Sequence, residues 1–135
     1  MKKKKIGRKF SRTRDQRHAL KKSLATSLIF KERIETTLAK AKELRPFIER
    51  LISQAKKQNV ASLRYLLHYL PEKAAKKLNK EVAPRFKDRP GGYTRIIKIN
   101  NRNTDAAPLA MIEFVLRQEK KSPLKSSKQK NEKAK

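Results

Sequence analysis

Leu20, Leu24 and Leu28 recur at four-residue spacing and predict the buried stripe of a first helix. Just before them "TRDQ" offers a capping box: Thr13 can accept from the third helical amide while Gln16 reaches back. "RIETT" then interrupts with β-branched residues and predicts a short strand, with Thr36 or Thr37 capping the helix that follows. That next helix has the strongest periodicity in the chain. Leu38, Ala41, Leu44, Ile48, Leu51, Ile52 and Ala55 return every three or four residues, and Pro46 inside the pattern predicts a kink near Lys42 to Leu44. A third helix is expected over Ala61 to Tyr69. Pro71 suits the first turn of a fourth, which should run to about Val82 and be ended by Pro84.

Beyond Arg85 the period changes from helical to strand-like. "YTRIIKI" and "LAMIEFVL" are short, apolar and rich in β-branched residues, and "NNRNTDAAP" between them has the composition of a loop. Together with "RIETT" they predict a mainly antiparallel sheet of about three strands. The fold class is therefore α+β, with about four helices packed on one face of a small sheet. We divide the chain into a basic N-terminal arm at 1–12, one globular domain at 13–119, and a Lys/Ser-rich flexible tail at 120–135. The sequence has no internal repeat.

Charge changes this picture most. Lys and Arg number 38 against 12 Asp and Glu, so the net charge is 38 − 12 = +26 in 135 residues. Such a chain repels itself unless an anion neutralises it, and a polyanion is the natural partner. Only 36% of residues are apolar and 6% aromatic, which limits the core and predicts that the two extensions are disordered in isolation. The absence of Cys excludes a disulfide scaffold, a thiolate metal site and a Cys nucleophile. No stretch has the roughly 20 apolar residues of a membrane span, and no apolar segment follows the basic start "MKKKK" as it would in a signal peptide. A cytoplasmic location without membrane contact is the expectation.

No catalytic constellation is evident. His18 and His68 have no evident partner for a metal or a proton relay, and no glycine-rich phosphate loop ends in Lys-Ser/Thr. His68 in "LLHYL" reads as a partly buried helix residue. Glu32 with Arg33, Glu43 with Arg45 and Glu49 with Arg50 read as surface ion pairs. We therefore expect no enzyme activity, no cofactor, no metal and no small-molecule substrate.

Two basic groups are candidates for nucleic-acid contact. The first is Lys2, Lys3, Lys4, Lys5, Arg8, Lys9 and Arg12 of the arm, continued by Arg14, Arg17, His18, Lys21 and Lys22 on the first helix. A flexible arm leading onto a rigid helix can follow a phosphate backbone, and Arg can grip phosphate with two hydrogen bonds. The second is Arg85, Lys87, Arg89 and Arg95 around Gly91 and Gly92, a pair that permits a tight turn, a close approach of RNA backbone, or both. Tyr93 suits a base stack, and the core at least as well. The few aromatic residues form no evident stacking platform, so recognition should rest on phosphate, ribose and the shape of folded RNA.

"ERIETTLAKAKELRPFIERLISQAKK" followed by "RPGGYTRIIK" and "APLAMIEFV" resembles the bacterial large ribosomal subunit protein L-seventeen family, with similarity from about Gly7 to Leu116. The resemblance implies a structural ribosomal protein that binds large-subunit rRNA near the polypeptide exit region. It further implies neighbouring ribosomal proteins as partners and no enzymatic role. Two features depart from the family: the start is "MKKKK" in place of Met-Arg-His, and Gln16 stands where the family commonly has His before Arg17. The alternative, suggested by charge alone, is a free histone-like nucleic-acid compactor or RNA chaperone.

Overall fold

The structure, a computed structural model, describes residues 7–116. Helix α1 (Arg14–Lys31) leads into strand β1 (Arg33–Thr37), which passes directly into α2 (Leu38–Ala55). Helices α3 (Val60–Tyr69) and α4 (Glu72–Lys77) follow, then β2 (Thr94–Lys98) and β3 (Leu109–Phe114). The strands form one antiparallel sheet in the order β1-β3-β2. This is the α+β class with four helices and three strands that the sequence predicts.

Alternation along the strands sorts the sheet into two faces. Ile34, Ile112 and Ile96 lie across from one another in register, as do Thr36, Ala110 and Lys98, and α2 packs over all three strands on that side. On the other side Arg33, Glu113 and Arg95 form one cross-strand row. Glu35, Met111 and Ile97 form the next.

The core is the apolar stripe of α2 set against these strands. Ala41, Leu44, Ile48, Leu51, Ile52 and Ala55 are buried, and Leu28, Leu66, Leu78, Phe86 and Phe114 close around them. Full burial of a Leu or Ile side chain contributes about 1.5–3 kcal/mol, so this one helix face supplies much of the stabilisation. Helix α1 is held at its start by the expected capping box: the Gln16 amide donates to Thr13 Oγ1 at 3.5 Å and the Thr13 amide to Gln16 Oε1 at 3.1 Å. It stops at Glu32, which takes a left-handed conformation with φ of 61° and donates its amide to Leu28 O.

Several expectations are corrected. Thr37 occupies the N-cap position of α2 without a side-chain cap; the Leu38 amide donates to Pro108 O at 2.9 Å instead, so a loop carbonyl supplies the acceptor. The helix starting at Pro71 does not end at Pro84. Its α-helical part closes at Lys77, a π turn follows at Leu78–Val82, and a 3-10 turn at Ala83–Phe86 accommodates Pro84 in its first positions. Helix α2 runs from Leu38 to Ala55 with Pro46 inside it, as the sequence predicts. A second capping box, Asn59 with Ser62, opens α3 one residue before the expected start. His68 is exposed, with its ring edge-on to Tyr69. Lys2, Lys3, Lys4, Lys5 and the expected tail at 120–135 lie outside the described residues.

Candidate nucleic-acid interface

The arm residues that the structure describes fold back onto α1. Phe10 and Ser11 take left-handed conformations, with φ of 53° and 50°, and the Arg12 amide donates to Lys9 O at 3.1 Å to close the turn. The Arg12 guanidinium donates to Phe10 O, and the Arg17 guanidinium donates to Arg12 O, both at 2.8 Å. Arg17 thus pins the arm to the first turn of the helix. Between arm, α1 and α2 lies a cleft of about 460 Å³ lined by Gly7, Arg8, Lys9, Phe10, Arg14, Arg17, His18, Leu20, Lys21 and Glu43.

This cleft gathers six of the eight described residues of the first basic group: Arg8, Lys9, Arg14, Arg17, His18 and Lys21. Five Lys and Arg side chains surround it against one carboxylate, and the positive end of the α1 dipole adds to their field. Held so close, such charges repel one another, and an anion in the cleft relieves that repulsion. Lys22 is exposed on α1 and does not line the cleft.

The second basic group is built differently, because most of it is engaged within the protein. Arg85 donates to both carboxylate oxygens of Glu32, at 2.9 and 3.1 Å, and its side chain is only 14% exposed. Arg89 folds its Nε back onto the carbonyls of Gly91 and Gly92, both at 3.1 Å, while Lys56 Nζ donates to Arg89 O at 2.5 Å. Arg95 pairs with Glu113, which Arg33 approaches from the opposite strand, and the Arg95 side chain remains 59% exposed. Lys87 is exposed. Gly92 has φ of +62°, so the glycine pair contains one turn position that an L side chain rarely adopts, whereas Gly91 sits in open space. Tyr93 belongs to the core: it is 2% exposed, stacks edge-on with Phe86, and exchanges hydrogen bonds with Pro90 O and Lys56 Nζ.

The two groups sit towards opposite ends of α1. Arg17 and Glu32, the partner of Arg85, are separated by 15 residues, or about 22 Å at 1.5 Å rise per residue.

The expected local acid pairs give way to longer connections. Glu49 pairs with Arg45 at 3.4 Å and also accepts from the Thr94 hydroxyl at 3.0 Å, tying α2 to the start of β2. Neighbours in a helix point about 100° apart, so adjacent acid and base residues do not meet; residues four apart do.

An aromatic group absent from the sequence reading lies beside the cleft. Phe47 of α2 meets Tyr69 of α3 at 6.1 Å between ring centres, Tyr65 meets Tyr69 at 4.9 Å, and Lys21 Nζ lies 5.7 Å from the Phe47 ring centre. Burial first, then the Tyr69 hydroxyl beside it, push the Tyr65 phenol above its ordinary value of 10.0, with Arg50 acting in the opposite sense. The rings pack half-buried against the core. The four-residue spacing of Tyr65 and Tyr69 was the available signal; the approach of Phe47 depends on how α2 crosses α3.

Among the described residues no group of three or more His, Cys, Asp or Glu could hold a metal ion, and no helix is long and apolar enough to cross a membrane.

A family model described as "Ribosomal protein L17" matches residues 20–115. The chain is similar to proteins called large ribosomal subunit protein bL17 from three bacteria. The one from Hydrogenobaculum sp. is 58% identical over 108 residues, covering 78% of this chain and 92% of that one. The one from Thermodesulfovibrio yellowstonii is 52% identical over 110 residues, covering 81% and 83%. The one from Rickettsia bellii is 50% identical over 110 residues, covering 81% and 78%.

Proposed function

The chain belongs to the ribosomal protein L17 family, and from that premise we propose that it binds and stabilises folded large-subunit rRNA near the polypeptide exit region, among neighbouring ribosomal proteins. Membership makes it a structural ribosomal protein of the large subunit, serving translation and carrying no enzyme activity. Large-subunit rRNA as the direct ligand, the phosphate and shape contacts that hold it, and the site in the cytoplasmic ribosome are parts of the proposal. The exit-region placement rests on the family resemblance alone.

The observation that carries the RNA contact is the cleft between arm and α1. There Arg17 fixes the arm by its bond to Arg12 O, while Arg8, Lys9, Arg14 and Lys21 face the same space. Arg and Lys side chains that face one space suit a curved phosphate backbone, and a charge of +26 supplies the counterion release that drives such binding. Arg85 contributes by holding α1 to the segment before β2, so its part in binding is to position Lys87 and the glycine turn. Lys2, Lys3, Lys4 and Lys5 extend the same positive surface in sequence.

The test is co-sedimentation of the tagged chain from a cell lysate on a high-salt sucrose gradient. Stoichiometric presence in the large subunit after the wash is the expected result. A spread through free and DNA-bound fractions would favour the nucleic-acid compactor instead.

A further inference from the structure

Glu43 does not fit a cleft that serves only to hold phosphates. Its carboxylate stands among Arg and Lys side chains and weakens any phosphate bound there. Yet among the described residues no hydrogen bond or salt bridge engages it, although Arg45 on the same helix pairs with Glu49. The arm also closes against it through a glycine: a Cβ on Gly7, where φ is +100°, would lie 3.4 Å from Glu43 Oε1. A carboxylate offers only acceptors, so a ligand that uses the whole cleft brings donors as well as an anion.

We propose that the cleft takes a single unpaired guanine nucleotide, with Glu43 accepting hydrogen bonds from guanine N1–H and N2–H. The proposal rests on the reading of the chain as an rRNA-binding protein. Guanine is the one standard base whose Watson–Crick edge places two donors side by side. Adenine and cytosine each set an acceptor nitrogen beside their amino group, and uracil has one N–H between two carbonyls; each turns a lone pair toward the second carboxylate oxygen. The nucleotide's own phosphate meets Arg14 and Arg17, and Phe10 with Leu20 supplies apolar wall for the base. A volume of about 460 Å³ lies in the range of clefts that enclose a small ligand. Because the Watson–Crick edge is engaged, the guanine comes from a loop or bulge and not from a duplex.

The sign of one substitution separates this from phosphate binding alone. Glu43→Gln removes a negative charge, so a cleft that holds only phosphate binds large-subunit rRNA more tightly. A cleft that reads guanine binds it about tenfold more weakly, since the amide presents one donor where two acceptors are needed. Full-length wild-type and Glu43→Gln chains are titrated with a large-subunit rRNA transcript. Large subunits purified from cells carrying each chain are then probed with a glyoxal reagent, which modifies guanine through N1 and N2. The expected result is weaker binding and one guanine that is protected by wild type and reactive with the variant. Equal or tighter binding, or no guanine that differs, overturns the proposal. So does a loss of helical circular dichroism in both Glu43→Gln and Glu43→Ala, which would assign Glu43 a role in the fold. If wild type is absent from the large subunit, the reading of the chain as an rRNA binder fails first and takes this inference with it. Incorporated wild type with no differing guanine overturns this inference alone.

Discussion

Arg85 and Glu32 join the segment before β2 to the C-terminal end of α1 through two hydrogen bonds, 2.9 and 3.1 Å long, across 53 positions of sequence. Glu32 is 7% exposed and is itself the left-handed residue that ends α1. Replacing Arg85 with Met leaves a buried carboxylate without its main cation, and we expect a loss of about 3–5 kcal/mol in a urea unfolding curve. Arg85→Lys keeps the charge but not the paired geometry and should fall between the two. An unchanged midpoint for Arg85→Met would make the pair an ornament of the fold and free Arg85 for RNA.

Gly91 and Gly92 are neighbours with opposite requirements. Gly92 has φ of +62°, and its added Cβ would approach the Arg89 guanidinium at 3.9 Å, so the strain is in the backbone and not in crowding. Gly92→Val should cost about 1–3 kcal/mol, because a β-branched residue tolerates that conformation poorly. Gly91→Ala, with nothing within 4 Å of its Cβ, should stay within about 0.5 kcal/mol of wild type. Similar thermal midpoints for the two variants would count against a special turn at Gly92.

Deleting Met1 to Arg12 removes one wall of the cleft and leaves the Thr13–Gln16 cap intact. We expect unchanged helical circular dichroism and weaker rRNA binding. If the full chain neutralises about 8 phosphates, log K falls against log salt with a slope of about −6 to −7, and the deletion should make that slope shallower. A slope near −1 for the full chain would rule out counterion release as the main driving force.

Tyr65 gives an alkaline signature. Its phenol is held above 10.0 in the folded protein, chiefly by burial. The folded state therefore keeps this proton more tightly than the unfolded chain. The corresponding stability is complete below 10.0 and is lost as the pH rises through the folded value. Comparing urea midpoints at about pH 8 and about pH 11, Tyr65→Phe should lose less stability than wild type. An equal loss would mean that the ring cluster leaves no imprint on the titration.

The parts of the fold that repeat locally were legible. The α2 stripe from Ala41 to Ala55 is buried as its spacing predicts, and the Thr13–Gln16 box is present. Strand chemistry in "RIETT", "TRIIK" and "LAMIEF" was sufficient to predict the sheet. What escaped depends on distance along the chain. The partner of Glu32 is 53 positions away, and Glu113 draws Arg95 from one strand and Arg33 from the other. Composition counts Arg85 and Arg95 among the free bases; only the tertiary fold shows that acids had already engaged them. The cleft was half legible: its cations lie together in sequence, but Glu43 reaches it from another helix.

The sheet order has a consequence for how the chain is made. Strand β3 is the last of the described elements in sequence, and it is the central strand to which both others bind. Until it leaves the translating ribosome, β1 and β2 have no mutual partner and the open edge of each remains unsatisfied. Helical turns can form as they emerge, whereas closing β1 on β3 joins Arg33 to Glu113 and must wait for nearly the whole chain. The cationic end of α1 is therefore synthesised long before its scaffold is complete, and that scaffold closes only when the final strand threads between its two waiting neighbours.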